Sequence, residues 1–142
     1  MSQDKVKHLE FIQNVIIRIS GKSFEVKKWT ISIMTGGMVL FVNDGNVYVL
    51  VILLLTDIMM WYLDATYLQI EKRYRSLYEK VALVDNIVLF NMDASHEKVD
   101  NILEVMSSKT LSCIYGIISI LIIFIILIKS GIFKIIMDYL TV

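Results

Sequence analysis

Proline is absent from this 142-residue chain. No residue type therefore forces a kink or a stop into a long helix. Cysteine occurs once, as Cys113 within an apolar run. That excludes an intrachain disulfide. The two histidines, His8 and His96, have no partner at metal-ligand spacing, so no zinc pattern is recognisable. Neither charge is in excess, since fourteen Lys and Arg balance fourteen Asp and Glu. The chain as a whole thus carries no nucleic-acid or acidic-substrate signature. A phosphate-cradling glycine loop is missing, and so is any nucleophile, base and oxyanion set. We expect no enzymatic activity, no cofactor and no metal. The polar start "MSQDKVKHLE" does not read as a signal peptide.

Apolar residues are abundant, at 56%, with a mean hydropathy of +0.66. Soluble chains hold about 45–50%. The expected class is an all-α integral membrane protein. Residues 1–22 read as an N-terminal amphipathic cytoplasmic helix, with Leu9, Ile12, Ile16 and Ile19 at the 3-4-3 spacing of a helical seam. "SGKS" should break it, Gly21 ending one helix and Ser23 capping the next. Residues 23–68 read as a transmembrane hairpin around the turn "NDGN". Its first arm is uncharged only from Trp29 to Val42, short of the ~20 residues that span a bilayer. Lys27 and Lys28 can lengthen that arm by snorkelling. Its second arm starts in the apolar run 47–63, bears the aromatic residues Trp61, Tyr62 and Tyr67 of an interfacial belt, and continues as one helix into the cytoplasm.

Residues 69–110 form the predicted cytoplasmic helical region. Within it "SHEKVDNILEVM" should be a short helix with Val99, Ile102, Leu103 and Met106 on one face. Residues 111–142 hold the third span and a tail. The run 111–128 is eighteen residues without a charge. Lys5, Lys7, Arg18, Lys22, Lys27 and Lys28 precede the first span and Lys72, Arg73, Arg75 and Lys80 follow the second, while the turn has no basic residue. The positive-inside rule puts the N-terminus in the cytoplasm and the turn outside. Lys129 and Lys134 leave the side of the C-terminus open.

Asp57, Asp64 and Glu71 recur every seven residues on the second helix. Intramembrane carboxylates are costly and mark candidate sites. One reading makes them pore-lining, facing a wet axis between subunits and favouring cations. The other has Asp57 bonded to a serine or threonine of the first helix, fixing packing only. Asp64 is placed at the membrane interface. Lys72, Arg73, Arg75 and Lys80, mixed with Tyr74 and Tyr78, suit a patch on anionic lipid headgroups first, and a nucleotide or single-stranded nucleic acid second. Ser32 with Gly36, and Ser112 with Gly116, are small pairs that allow close helix approach. With the Leu9–Ile19 seam they suggest a homo-oligomer, for which four copies is the default.

The segment "KHLEFIQNVIIRISGKSFEVKKWTISIMTG", the turn, and "WYLDATYLQIEKRYRSLYEKV" resemble small membrane effectors of bacterial anti-phage defence systems over residues 7–81. Within that group the chain resembles the membrane subunit of Hailong-type systems. The resemblance implies an oligomeric channel in the bacterial inner membrane, controlled by a nucleic-acid oligomer or nucleotide that a partner nucleotidyltransferase makes. It carries over no gate or ligand residue. A non-conducting scaffold for a cytoplasmic enzyme is the alternative. A transporter subunit is disfavoured, because no internal inverted repeat is visible.

Overall fold

The computed structural model describes residues 3–84 and 90–131, all helix or connection, with no strand among the described residues. Two long helices dominate: α1, Gln3–Asp44, and α2, Val47–Leu83. At 1.5 Å per residue they are about 63 and 55 Å long. The turn between them is two residues. Gly45 adopts φ +66°, and its N–H donates to Phe41 O at 2.8 Å, closing the last turn of α1. Asn46 then caps α2, its side chain accepting from Tyr48 N at 3.0 Å. A tight turn of this kind makes α1 and α2 antiparallel. Their contacts step accordingly, from Phe41 near Leu50, through Gly37 on Leu53 and Ser23 on Asp64, to Leu9 and Ile12 near Leu77 and Val81.

The predicted break at "SGKS" is not there; α1 runs through it without interruption. A glycine inside a helix costs roughly 0.5–1 kcal/mol relative to alanine. Here Ile12 below it and Ser23 above it both pack on α2, and bending α1 would sacrifice one set. Gly37, not Gly36, is where the hairpin closes tightly. A Cβ on Gly37 would lie 2.3 Å from Leu53 Cδ2, whereas one on Gly36 meets nothing.

From Phe90 a connection returns along α2. Asn91 O meets His8 Nε2 at 3.1 Å, Glu97 accepts from Ser76 and Lys80, and Asp100 from Lys72. The predicted helix over this stretch shrinks to one turn, α3, Ile102–Met106. Its start is fixed by Asn101 and Glu104 in a capping box, and the residues before it are held by their ion pairs to α2. Val105 is buried and Leu103 exposed, so the buried face also differs from the predicted one. The last helix, α4, Lys109–Lys129, contains a π-helical turn at Ser112–Gly116. It packs on α2, leaving an apolar groove of about 510 Å³ beside α1, lined by Met34, Met38, Ile118 and Ile122 among others.

Helices α2 and α4 are long and apolar enough to cross a membrane, and only 22% and 17% of their most apolar stretches are buried within the chain. Core helices of a soluble protein would be mostly buried. Helix α1 does not reach that length of apolar sequence, in keeping with the short Trp29–Val42 stretch. The predicted break over 85–95 lies partly, and the tail after Gly131 wholly, outside the described residues.

Candidate functional site

The polar residues of the apolar half meet inside the chain. Helix α1 supplies Ser23, Lys27 and Thr30, spaced four and three apart and so on one face. Helix α2 supplies Asp57 and Asp64, one heptad apart, and α4 supplies Tyr115 and Ser119, one turn apart. Asp57, Asp64, Thr30 and Tyr115 are all fully buried. The cluster separates two apolar layers, one around Leu50, Leu53 and Ile122, the other around Ala65, Val105 and Tyr115.

Asp64 has a complete set of partners. Its Oδ1 accepts a short hydrogen bond from Ser23 Oγ. Its Oδ2 accepts from Tyr115 OH at 2.9 Å and pairs with Lys27 Nζ at 2.6 Å. Lys27 Nζ also donates to Ser23 Oγ at 2.8 Å. One ammonium and two hydroxyls thus surround one carboxylate, the arrangement that offsets desolvation of a buried pair. Trp61 seals this layer. Its ring stacks on Tyr115 with centroids 6.1 Å apart, and Nε1 donates to Met106 O at 3.0 Å.

Asp57 is different. Oδ2 accepts from Ser119 Oγ at 2.7 Å, but Oδ1, equally buried, has no hydrogen-bond partner among the described residues. Thr30 of α1, one heptad from Ser23, is fully buried with its hydroxyl beside that of Tyr115. The Thr30 proton is committed to Val26 O at 2.9 Å.

The third member of the acidic row, Glu71, is buried and holds Arg75, whose Nε and Nη2 lie 2.9 and 2.7 Å from Oε1. All three carboxylates face the interior of one chain. Asp57 does bond a serine, as the packing reading expected, but Ser119 of α4 instead of a residue of α1. Asp64 is buried and paired with Lys27.

The basic residues of α2 are largely engaged. Lys72 pairs with Asp100, Lys80 with Glu97 and Arg75 with Glu71, while Arg73 Nε is buried without a hydrogen-bond partner among the described residues. Hydrogen bonding from Lys80 holds the Glu97 carboxyl below its ordinary range. The proposed oligomer seam is divided. Leu9 and Ile12 are covered by Leu77, Val81 and Ala94 of the same chain, with Ile16 at the margin and Ile19 half-buried. Ser32 and Gly36 face outward, Ser32 bonding back to Lys28 O at 3.0 Å. Ser112 donates to Met106 O at 3.2 Å, and a Cβ on Gly116 would meet nothing.

Ser23, Lys27, Tyr115 and Ser119 were not marked as site residues by sequence. A signal existed: Ser23, Lys27 and Thr30 form a polar stripe facing the acidic one, and Tyr115 and Ser119 are the polar pair one turn apart in the most apolar helix. Among the described residues no group of three or more His, Cys, Asp or Glu could hold a metal ion. Neither a family model, a curated protein nor a solved structure matches this chain.

Proposed function

We infer that the chain is a membrane-embedded effector that assembles into an oligomeric ion channel, its N-terminus in the bacterial cytoplasm. The observation that carries this reading is the cluster in which buried Asp57, Asp64 and Tyr115, on two membrane-length helices, meet half-buried Ser119 and Lys27. Charges at that depth are expensive, and a plain anchor has no use for them. On this reading the covered acidic row belongs to a closed form. Withdrawal of α4 from α2 uncovers Asp57 and Asp64, and a ring of such carboxylates would attract cations. The outward Ser32–Gly36 face of α1 is free to meet a second copy. On this reading the trigger acts from the cytoplasm, and the family resemblance suggests a nucleotide or nucleic-acid oligomer made by a nucleotidyltransferase partner.

A scaffold for a cytoplasmic enzyme is favoured by one feature, the exposed Phe11 and Ile17 on the N-terminal half of α1. Planar-bilayer recording of the purified oligomer separates the two. Discrete cation-selective currents are expected, with altered reversal potential in Asp57→Asn at unchanged oligomer size. An intact oligomer that stays silent with and without the cytoplasmic trigger rejects the channel and leaves the scaffold.

A further inference from the structure

We propose that Asp57 and Ser119 form a binding site for a small monovalent cation, a proton or a sodium ion, that fastens α4 to α2. Asp57 Oδ1 is fully buried and unpartnered among the described residues, on a carboxyl whose other oxygen makes a single hydrogen bond. A bare anionic oxygen in an apolar layer is costly unless a donor or a cation meets it. The neighbouring charges do not meet it. On α1 the ammonium of Lys27 is committed to Asp64 and Ser23. On α2 the nearest ionisable group in the row, Asp64, is itself acidic and one heptad away, about 10 Å along the helix. On α4 the Tyr115 hydroxyl is spent on Asp64.

The chemistry of the site is all oxygen: a carboxylate and the Ser119 hydroxyl. Hard cations take such donors, and thiol- or imidazole-seeking metals do not. One monovalent charge neutralises the one unsatisfied carboxylate. A proton does so by forming O–H on the carboxyl, which can then donate to Ser119 Oγ. Sodium does so by accepting lone pairs from the carboxylate and the Ser119 hydroxyl. Either way the bound cation removes the charge that would otherwise favour hydration of the α2–α4 seam. Occupancy and docking of α4 are therefore linked, and anything that binds the docked form selectively stabilises it. This inference concerns binding and does not require that the chain conduct.

The test is thermal unfolding of the full-length protein in detergent, in two series. In the first, choline is the only added cation and pH is raised from mildly acidic to mildly alkaline. In the second, pH is held alkaline and choline is replaced by sodium, or by potassium as the size control, at constant ionic strength. The wild type is expected to lose stability as pH rises and to regain it steadily with the logarithm of sodium concentration. Asp57→Asn should remove both responses, leaving only the pH effects that both proteins share. Ser119→Ala should shift the midpoint sodium concentration or the pH midpoint by about tenfold, the worth of one hydrogen bond to a charged group; this variant decides the matter if Asp57→Asn fails to fold. A pH response without a sodium response, lost in Asp57→Asn, assigns the site to the proton. A wild type indifferent to both, or an Asp57→Asn protein that responds as the wild type does, overturns the proposal. Currents are not read, so a silent channel and an absent site remain distinguishable.

Discussion

Asp57 and Asp64 stand one heptad apart on α2 and are equally buried, but only Asp64 is saturated. Asp64 gathers a serine and a lysine from α1 and a tyrosine from α4, whereas Asp57 gathers one serine. Position in the heptad and exposure to solvent are the same for both. What differs is the set of groups the neighbouring helices present at each level. The comparison separates two roles that sequence alone merges. The Asp64 layer locks three helices together, and the Asp57 layer is a charge held in reserve.

The strongest way to break that contrast is to remove the saturated carboxylate. Asp64→Ala removes the counter-charge of the half-buried Lys27 ammonium and leaves Ser23 and Tyr115 without their acceptor. Losing one partner of a buried pair typically costs about 3–5 kcal/mol, a large share of a domain's marginal stability. Asp57→Asn removes a charge that lacks a counterpart, and is expected to change stability in the opposite direction or by less than about 1 kcal/mol. Unfolding in mixed detergent micelles measures both. Pairing Asp64→Leu with Lys27→Met should recover much of the loss, because isosteric apolar replacement of a buried ion pair is often neutral or better. Equal losses for Asp64→Ala and Asp57→Asn would erase the distinction.

The same division between an inward, committed group and an outward, free neighbour recurs at Gly37 and Gly36. A methyl group on Gly37 meets three side-chain atoms of the buried Leu53 at 2.3–3.0 Å. Leu53 can yield, but only by disturbing its contacts with Met34 and Phe41. Gly37→Ala should therefore cost roughly 1–3 kcal/mol, the usual range for overpacking. Gly36→Ala has open space and should gain up to about 1 kcal/mol from helix propensity in the isolated protomer. If Gly36 also lies at a contact between copies, cross-linked oligomer yield should fall while protomer stability rises.

Much of the long-range plan was legible in the sequence. The hairpin turn was readable because "NDGN" combines a positive-φ glycine with a capping asparagine. The single long α2 was readable because nothing in it stops a helix. The break at Gly21 was misread because local propensity favours a stop there, and tertiary contacts on both sides override it. The extent of the helix ending at Met106 was overestimated for a related reason: Glu97 and Asp100 are spent on α2, which periodicity does not register. The acidic heptad row was visible, but its direction was not. A repeat of seven fixes which residues share a face of α2, while what covers that face depends on where α1 and α4 lie. The pairing of Lys27 with Asp64 spans a separation in sequence that no local pattern reveals.

The smallest expected effect lies outside the apolar half, where the contrast of partner number takes a solvent-screened form. Glu97 accepts from Lys80 at 2.8 Å and from Ser76 at 3.1 Å, tying the returning connection to α2. The Lys80 hydrogen bond is the main cause holding its carboxyl below the ordinary range. The sign follows directly. A carboxyl whose folded-state pKa is depressed contributes stability that is present above its unfolded pKa and lost as pH falls through the folded one. The contact should thus persist at neutral pH and release only below the usual range of glutamate titration. Exposure to solvent keeps its contribution small. Hydrogen exchange over residues 91–101, corrected for the intrinsic pH dependence of exchange, should show protection constant near neutrality and lost in acid. Glu97→Gln should show the acid level of protection at neutral pH, with the Asp64 layer unaffected. If that substitution left protection unchanged, the connection would be held by Asp100 and Asn91 alone, and charge pairing at Glu97 would have no part in seating it.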